Sequence, residues 1–224
     1  FLRMKVRLKK EIVTFGIPEV NTIENVGEYL DVDNWNKLVN HSESIIIDTR
    51  NHYEVSIGTF KNSINPKINS FREFPRWVKK NLIDKDVSKT SKIGMFCTGG
   101  IRCEKSTSYL KQIGFKNVFH LEGGILKYLE NVKSDENEWN GECFVFDYRV
   151  SINNNLQKGQ YDMCYACRMP LNEEDKKKSF YLKGQSCHNC YNKTTTKQKN
   201  RFSEREKQMK LSKTRNSKHL GPND

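Results

Sequence analysis

The sequence predicts an α/β fold in which helices cover both faces of a parallel sheet, together with a small cysteine-rich module and a basic tail. Three apolar runs carry the sheet prediction: SIIIDTR at 44–50, KIGMFC at 92–97 and NVFHLEG at 117–123. The first two are continuous rather than alternating, which is typical of strands buried on both faces. Helical segments separate the runs, and strands and helices that alternate at these lengths imply parallel pairing.

Two of the helical segments have an apolar face. The first, GEYLDVDNWNKLVN, offers Asp31 or Asp33 as its cap and places Trp35, Leu38 and Val39 on one face. Three further helices are predicted over FREFPRWVKKNL, with Phe71, Phe74 and Val78 facing inward, over EKSTSYLKQIGF, which Gly114 ends, and over GILKYLENV.

The predicted elements divide the chain into four segments. KVRLKKEIVTFG alternates like an edge strand, so residues 1–25 are expected to be the last strand and linker of a truncated amino-terminal domain. Residues 26–133 hold the α/β domain, and 134–192 hold the cysteine-rich module, in which GECFVFDYRV is expected to form one more strand. Residues 193–224 are expected to form a basic helical or disordered tail.

The charge of the chain points to a polyanionic partner. The 224 residues carry a net charge of +12, and +7 of it lies from Lys193 onward. No apolar run approaches the roughly 20 residues that cross a bilayer, so no membrane association is expected. Seven cysteines, four of them in two CxxC pairs, favour a reducing compartment, and the cytoplasm is the expected location.

The loop MFCTGGIRCEKS carries the sharpest chemical signal. Cys97 ends a buried strand, Gly99 and Gly100 allow a tight turn, and a helix begins near Cys103. Backbone amides, the helix dipole and Arg102 should lower the pKa of the Cys97 thiol from about 8.5 and make it a nucleophile. We therefore predict Cys97 and Arg102 as catalytic, with the active-site loop completed by Thr98, Gly99, Gly100, Ile101 and Cys103.

Other residues near this loop are open to two interpretations. Cys103 is either a thiol that resolves oxidised Cys97 or a core residue, and Cys143 is expected to be a core residue. Asp48, Arg50 and Glu54 form either a buried network that supports the loop or a surface ion pair of little energetic value.

Phosphate ester hydrolysis is a competing chemistry for a cysteine loop, but the spacing disfavours it. Tyrosine phosphatases place five residues between cysteine and arginine, whereas four residues, Thr98 to Ile101, separate Cys97 from Arg102. A one-residue difference in a loop of N–H donors changes the radius of the cradle, which disfavours phosphate ester hydrolysis.

The two CxxC pairs predict a structural zinc site. Nineteen residues separate Cys164 and Cys167 from Cys187 and Cys190, a spacing typical of a tetrathiolate site. A redox dithiol is the alternative, but the weakly apolar composition of this stretch favours a metal that replaces a core. His188 is a competing ligand that two complete pairs make unnecessary.

The strings DTRNHYEVSIGTF, INP, CTGGIRCEKSTSYL and LEGGILKYLE resemble the rhodanese-like domain. They are most similar to the rhodanese-containing tRNA uridine hydroxylase family (TrhO), over nearly the whole chain. The resemblance implies a rhodanese fold, Cys97 as the reactive cysteine, often written as a persulfide, and a preceding ferredoxin-like domain. It also implies oxygen-dependent conversion of the wobble uridine (position 34) of tRNA to 5-hydroxyuridine, with dioxygen as co-substrate.

On this resemblance tRNA is the expected partner. Lys197, Lys199, Arg201 and Arg205 are predicted to bind its phosphates. Aromatic side chains near the cysteine pairs offer stacking surfaces for bases: Tyr161, Tyr165, Phe180, Tyr181 and Tyr191.

No oxygen-activating cofactor can be identified from the sequence. There is no flavin, haem or nicotinamide signature, and the five histidines are scattered: His41, His52, His120, His188 and His219. Two other functions stay open, namely a sulfurtransferase that works through a Cys97 persulfide, and a zinc-stabilised RNA-binding adaptor whose loop is idle. The oligomeric state is left unknown.

Overall fold

The computed structural model describes residues 6–216 apart from residues 10, 18 and 24. These residues form two compact units. The first, here called the thiol-loop unit, comprises residues 9–145 and 152–158. The second, the four-cysteine unit, comprises described residues 6–8, 146–151 and 159–216. Among the described residues, no helix combines the length and apolarity needed to cross a bilayer.

A five-stranded parallel sheet forms the centre of the thiol-loop unit. Its strands have the spatial order β1-β6-β5-β2-β4. In chain order the strands of this unit are β1 (Glu28–Leu30), β2 (Ile45–Asp48), β3 (Gly58–Phe60), β4 (Ser63–Ile64), β5 (Ile93–Phe96), β6 (Val118–Leu121), β7 (Trp139–Gly141) and β8 (Cys143–Phe144). The three predicted central strands are confirmed, and β3 pairs with β7 in a separate antiparallel ribbon.

Helices cover both faces of this sheet, as predicted. The α-helices of the unit are α1 (Val32–Asn40), α2 (His52–Val55), α3 (Phe74–Val78), α4 (Ile101–Gln112) and α5 (Gly124–Asn131). One apolar cluster packs α3 and α4 against the sheet through Phe74, Val78 and Leu110. A second cluster packs α1 and α5 through Trp35 and Tyr128. The α/β fold class is therefore correct.

The first helix follows its sequence signals. Asp31 is the cap, and its side chain accepts a hydrogen bond from the Asn34 amide. Trp35, Leu38 and Val39 are buried together on one face, as their spacing predicts.

The predicted helix over FREFPRWVKKNL is broken in the structure. A 3-10 turn over Phe71–Glu73, α3 and a π-type segment over Lys79–Ile83 follow one another. Pro75 explains the early break, because it lacks an N–H group and is tolerated only in the first turn of a helix. Phe71, Phe74 and Val78 are nevertheless buried as predicted.

The strand predicted within residues 1–25 is absent from the part of this segment that the structure describes. Phe15 instead inserts into the first apolar cluster, 4.9 Å from the ring of Phe71, and the Lys105 ammonium binds the Glu11 carboxylate at 2.6 Å. Contacts with side chains of the thiol-loop unit therefore replace the backbone pairing that the alternating pattern predicts.

The strand predicted over GECFVFDYRV is reduced to the two residues of β8, preceded by β7. Gly141 at φ +86° turns the chain between the two strands, and a Cβ there would lie 2.4 Å from the carbonyl oxygen of Ile57. Val150 also has a positive φ, which ends extended structure at the other end of the run.

The four-cysteine unit holds short elements and one long helix. Its strands and helices are β10 (Asp162–Met163), β11 (Pro170–Leu171), α6 (Glu173–Lys177) and α7 (Thr196–Thr214), and the two-residue strand β9 (Ser151–Ile152) precedes them in the chain. β10 and β11 pair antiparallel. The helical prediction for the tail is correct over α7, while residues 217–224 lie outside the described residues.

Candidate active site and cysteine cluster

The carboxyl ends of two adjacent strands bring the thiol loop and a polar network together. Asp48 at the end of β2 pairs in register with Phe96 at the end of β5. Thr49 and Arg50 continue from β2, and Cys97 continues from β5, so both segments emerge at the same edge of the sheet. Ligand sites of open parallel sheets form at this edge.

The turn after Cys97 points backbone donors at its sulfur. Gly100 adopts φ +87° immediately before α4, and its amide donates a hydrogen bond to Cys97 Sγ at 3.1 Å. A residue with a Cβ rarely adopts this conformation, so the second glycine of the pair is required. The helix starts at Ile101, two residues earlier than predicted, which brings the first-turn amides next to the sulfur.

A second glycine pair, Gly123 and Gly124, lies directly against the Cys97 loop. The amides of Ile125 and Leu126 donate to the carbonyl oxygens of Cys97 and Thr98 at 3.0 and 3.1 Å. A Cβ on Gly124 would lie 2.5 Å from the Cys97 oxygen. From the sequence, Gly123 is predicted only as a strand end and Gly124 only as a helix start. The signal that could have revealed their contact with the loop is the Gly-Gly doublet itself.

The surroundings of Cys97 favour its thiolate. A hydrogen bond from the Cys103 thiol, the positive charge of Arg102 and the amides of Arg102 and Cys103 lower the pKa of Cys97 to about 6, against the opposing effect of burial. Burial and the neighbouring Cys97 sulfur raise the pKa of Cys103 well above its usual range. Cys103 thus stays protonated and donates, while Cys97 carries the charge.

The structure places Cys103 in the apolar core, as one of the two interpretations predicts. It is fully buried, and its sulfur lies 3.7 Å from the Thr49 hydroxyl. No disulfide joins Cys97 and Cys103, and a resolving role for Cys103 stays a prediction. Cys103 also has an electrostatic effect, because its protonated thiol lowers the pKa of Cys97.

Arg102 is held by Glu54. Its two terminal nitrogens donate to the two carboxylate oxygens at 2.9 and 2.8 Å, and the Glu54 side chain is fully buried. Burial disfavours the charge of Arg102, but the Glu54 carboxylate outweighs burial and raises the pKa of the guanidinium. Arg102 therefore acts on Cys97 as a fixed positive charge, while two of its N–H groups bind Glu54.

Asp48 and Arg50 form a separate buried pair. Arg50 Nη2 donates to Asp48 Oδ2 and to the Gly58 carbonyl, both at 2.6 Å, and neither side chain is exposed. The Thr59 hydroxyl donates to the same carboxylate. Of the two interpretations, the buried network is correct, and the surface ion pair is excluded.

The other loop residues are less enclosed. Ile101 is 43% exposed, and open space surrounds the Cβ position of Gly99. The Thr98 hydroxyl is buried and has no hydrogen-bond partner among the described residues, which leaves it available to a bound group. Cys143 is a core residue, and burial raises the pKa of its thiol to about 12.

The four cysteines of the second unit converge. Their sulfur atoms all lie within 4.8 Å of one another. The Cys164–Cys190, Cys167–Cys187 and Cys187–Cys190 sulfur pairs are 3.9, 3.6 and 3.9 Å apart. A tetrahedron with zinc–sulfur bonds of about 2.3 Å has edges of about 3.8 Å, so the donor set fits a zinc ion. His188 instead lies 3.4 Å from an Asp175 oxygen.

The cationic residues predicted for nucleic-acid binding lie on α7 but differ in role. Lys197, Lys199 and Arg201 are exposed, and the Lys199 ammonium lies 4.9 Å from the centre of the Tyr191 ring. Arg205 is half-buried and donates to the carbonyl oxygens of Tyr165 and Gly184 at 2.8 and 2.9 Å. Arg205 therefore ties α7 to the cysteine loops, and phosphate binding stays a prediction for all four residues.

Comparison with known proteins gives a family match within the thiol-loop unit. Residues 31–131 match the family model of the rhodanese-like domain. Among solved structures, the chain is 23% identical to a rhodanese-related protein from Thermoplasma volcanium, covering 46% of this chain and 91% of that one, with a TM-score of 0.36.

Two further structures are similar over comparable shares of the chain. A rhodanese-like domain protein from Staphylococcus aureus is 25% identical, with 45% and 90% of the two chains covered and a TM-score of 0.36. A human single-domain sulfurtransferase is 14% identical, with 48% and 99% covered and a TM-score of 0.40. The family match therefore shows a rhodanese-like domain over residues 31–131, a stretch that contains Cys97 and the loop after it.

Proposed function

We propose that this chain hydroxylates C5 of the wobble uridine (position 34) of tRNA, with dioxygen as co-substrate and Cys97 as the nucleophile. The observation that carries the proposal is the cradle around Cys97, where a neighbouring thiol, loop amides and Arg102 favour a thiolate at neutral pH. Two features support RNA as the substrate: the resemblance of the loop and its flanks to the tRNA uridine hydroxylase family, and the exposed cations of α7.

The first chemical step is addition of the Cys97 thiolate to C6 of the uracil ring. The C5–C6 double bond is lost, and the electron pair moves to C5 and the O4 carbonyl as an enolate. Before addition, the Gly100 amide and the Cys103 thiol stabilise the sulfur anion. Arg102 keeps the site electropositive while negative charge passes from sulfur to the ring.

The enolate carbon then bonds to dioxygen, and one proton completes a C5 hydroperoxide. An external thiol reductant cleaves the O–O bond, which leaves a hydroxyl on C5 and gives a sulfenic acid. A second thiol converts the sulfenic acid to a disulfide and water. Loss of the C5 proton and of the Cys97 sulfur restores the double bond. The net reaction consumes one dioxygen and two thiols, and yields 5-hydroxyuridine, water and a disulfide.

Nucleoside mass spectrometry of tRNA tests this proposal. A strain that lacks its own hydroxylase is complemented with the native chain, with Cys97→Ser or with Cys143→Ala, which removes a core thiol of the same unit. We expect 5-hydroxyuridine with the native and Cys143→Ala proteins and none with Cys97→Ser. Undiminished 5-hydroxyuridine with Cys97→Ser would refute the role of Cys97 and leave the RNA-binding adaptor.

Sulfur transfer is the second candidate, and the match to the rhodanese-like domain favours it. Cys97 would attack the outer sulfur of thiosulfate, form a persulfide and release sulfite, and cyanide would then remove that sulfur as thiocyanate. Thiocyanate formation by the purified protein, lost in Cys97→Ser and unaccompanied by any change in tRNA nucleosides, would establish sulfur transfer in place of hydroxylation.

A further inference from the structure

We propose that a pocket of the four-cysteine unit binds a single unstacked nucleobase of RNA. The pocket has a volume of about 240 Å³ and lies entirely within this unit. The described residues that line it are Phe146, Asp147, Tyr148, Val150, Met163, Tyr165 and Arg168. This site rests on the proposed function, because it assumes that RNA is the macromolecule that the chain binds.

The walls of the pocket suit the face of a base. Phe146, Tyr148 and Tyr165 are 59%, 72% and 43% exposed, a large apolar area to leave in water. Val150 and Met163 add aliphatic and thioether surface. Aromatic side chains around a cleft are the usual platforms on which single-stranded bases stack, since every base has a π-face.

Two polar groups suit the edge and the backbone of a nucleotide. Arg149 holds the Asp147 carboxylate through contacts of 2.7 and 3.1 Å, and these hydrogen bonds lower the pKa of Asp147. The ionised carboxylate can accept only, which suits the imino or amino donors of a base edge. Arg168 is exposed and supplies donors for a phosphate or a carbonyl oxygen.

The backbone of Arg168 gives a second reason to assign it a binding role. It stands at φ +69° directly after the first CxxC pair, a conformation that glycine adopts without strain. Its amide donates to the Cys164 carbonyl at 2.7 Å, as any residue there would. An arginine therefore stands at a position of the turn where the backbone conformation favours glycine.

The net positive charge of the four-cysteine unit favours a polyanion as the ligand of the pocket. Residues 159–216 contain fourteen basic and six acidic side chains, a net charge of +8. A nucleobase that binds in the pocket carries phosphates, which this basic unit attracts, whereas an apolar peptide would contact the aromatic walls without using the charge. A single-stranded RNA segment uses both features.

Fluorescence anisotropy with two labelled probes tests the pocket in the zinc-loaded full chain. One probe is a single-stranded oligouridylate of about ten nucleotides, and the other is an abasic ribose-phosphate oligomer of equal length and charge. We expect Tyr148→Ala to weaken oligouridylate binding about tenfold and to leave abasic binding unchanged. Tyr148→Phe keeps the ring and should keep the native affinity. Leu182→Ala removes comparably exposed apolar area of the same unit and should have no effect.

Arg168→Gly separates binding from folding. Glycine relieves the backbone strain, so the midpoint of thermal unfolding should not fall, while oligouridylate binding weakens and its salt dependence decreases by about one counterion. Native binding of oligouridylate by both Tyr148→Ala and Arg168→Gly would overturn the pocket and leave the proposed function standing. Failure of the native protein to bind either probe or tRNA would refute both proposals together.

Discussion

The chain uses cysteine in two opposite ways in its two units. In the thiol-loop unit, Cys97 lies at the end of a buried strand, and two large apolar clusters flank the sheet. In the four-cysteine unit, the described buried cluster consists of Cys164, Cys187 and Cys190 with a single leucine, Leu171. The first unit has a core that holds a reactive thiol in position, whereas in the second the thiols themselves take the place of a core.

This difference shows that the surroundings, and not the residue type, decide what a cysteine does. Around Cys97, a second thiol, the amides of a glycine turn and a charged neighbour make a thiolate that stays available for reaction. In the four-cysteine unit, the two CxxC pairs bring all four sulfur atoms to one point. A metal ion with these four ligands has no open coordination position for a substrate. Perturbing each unit separately should therefore produce different failures.

Removing the metal should have the largest effect. Binding of a structural zinc ion is worth about 10 kcal/mol or more, and the four-cysteine unit has little other core among its described residues. We expect a strong chelator, or Cys164→Ser, to unfold this unit while the thiol-loop unit keeps its cooperative transition. Metal analysis together with amide hydrogen exchange measures this, and Cys143→Ala serves as the cysteine control. If the amides of β10 and β11 stayed protected from hydrogen exchange without metal, this expectation would be contradicted.

Breaking the buried pair at the thiol loop should have the next largest effect. Glu54→Gln leaves the Arg102 guanidinium buried without its counter-charge, which should cost about 4 kcal/mol in the free energy of unfolding. Denaturant unfolding measures the loss, with Glu130→Gln as the exposed control.

The double variant Glu54→Gln/Arg102→Met tests the cause, since removing both charges should lose less than the sum of the single losses. Additive losses would mean that the two side chains do not depend on each other.

Acid should weaken the thiol-loop unit through His120. Burial lowers the pKa of this histidine to about 4, below about 6.5 in the unfolded chain. The unfolded state then binds more protons between these values, so stability is complete above about pH 6.5 and falls as the pH drops toward 4, by roughly 3 kcal/mol. We expect His120→Gln to remove this step from the pH dependence of unfolding. An unchanged pH profile would assign the step to other groups.

The smallest effect concerns the reactivity of Cys97. Its alkylation rate by iodoacetamide should rise with pH around a midpoint of about 6, because the thiolate is the reacting form. Cys103→Ala removes the hydrogen bond that contributes most to this shift, so the midpoint should rise toward about 8.5. Mass spectrometry of the Cys97 peptide follows the reaction separately from the zinc-binding cysteines. An unmoved midpoint would assign the activation to Arg102 and the amides alone.

Much of the fold and of both cysteine sites is predictable from local patterns. Continuous apolar runs predicted β2 and β5, the cap residue Asp31 preceded α1, and CxxC spacing predicted the four converging sulfurs. The alternating pattern near the amino terminus was misleading, because period-two alternation indicates a strand only where a partner strand exists. In the structure the Phe15 side chain fills the core instead.

By itself, the sequence determined the chemistry that is local along the chain: the order of strands and helices, the Cys97 turn with its glycines, and the ligand set of the four-cysteine unit. Only the tertiary structure decided which distant groups meet there. Glu54 lies 48 residues before Arg102, and Gly124 contacts the loop from another helix. No local pattern encodes such pairings, because they depend on how strands order in the sheet and on which charges become buried together.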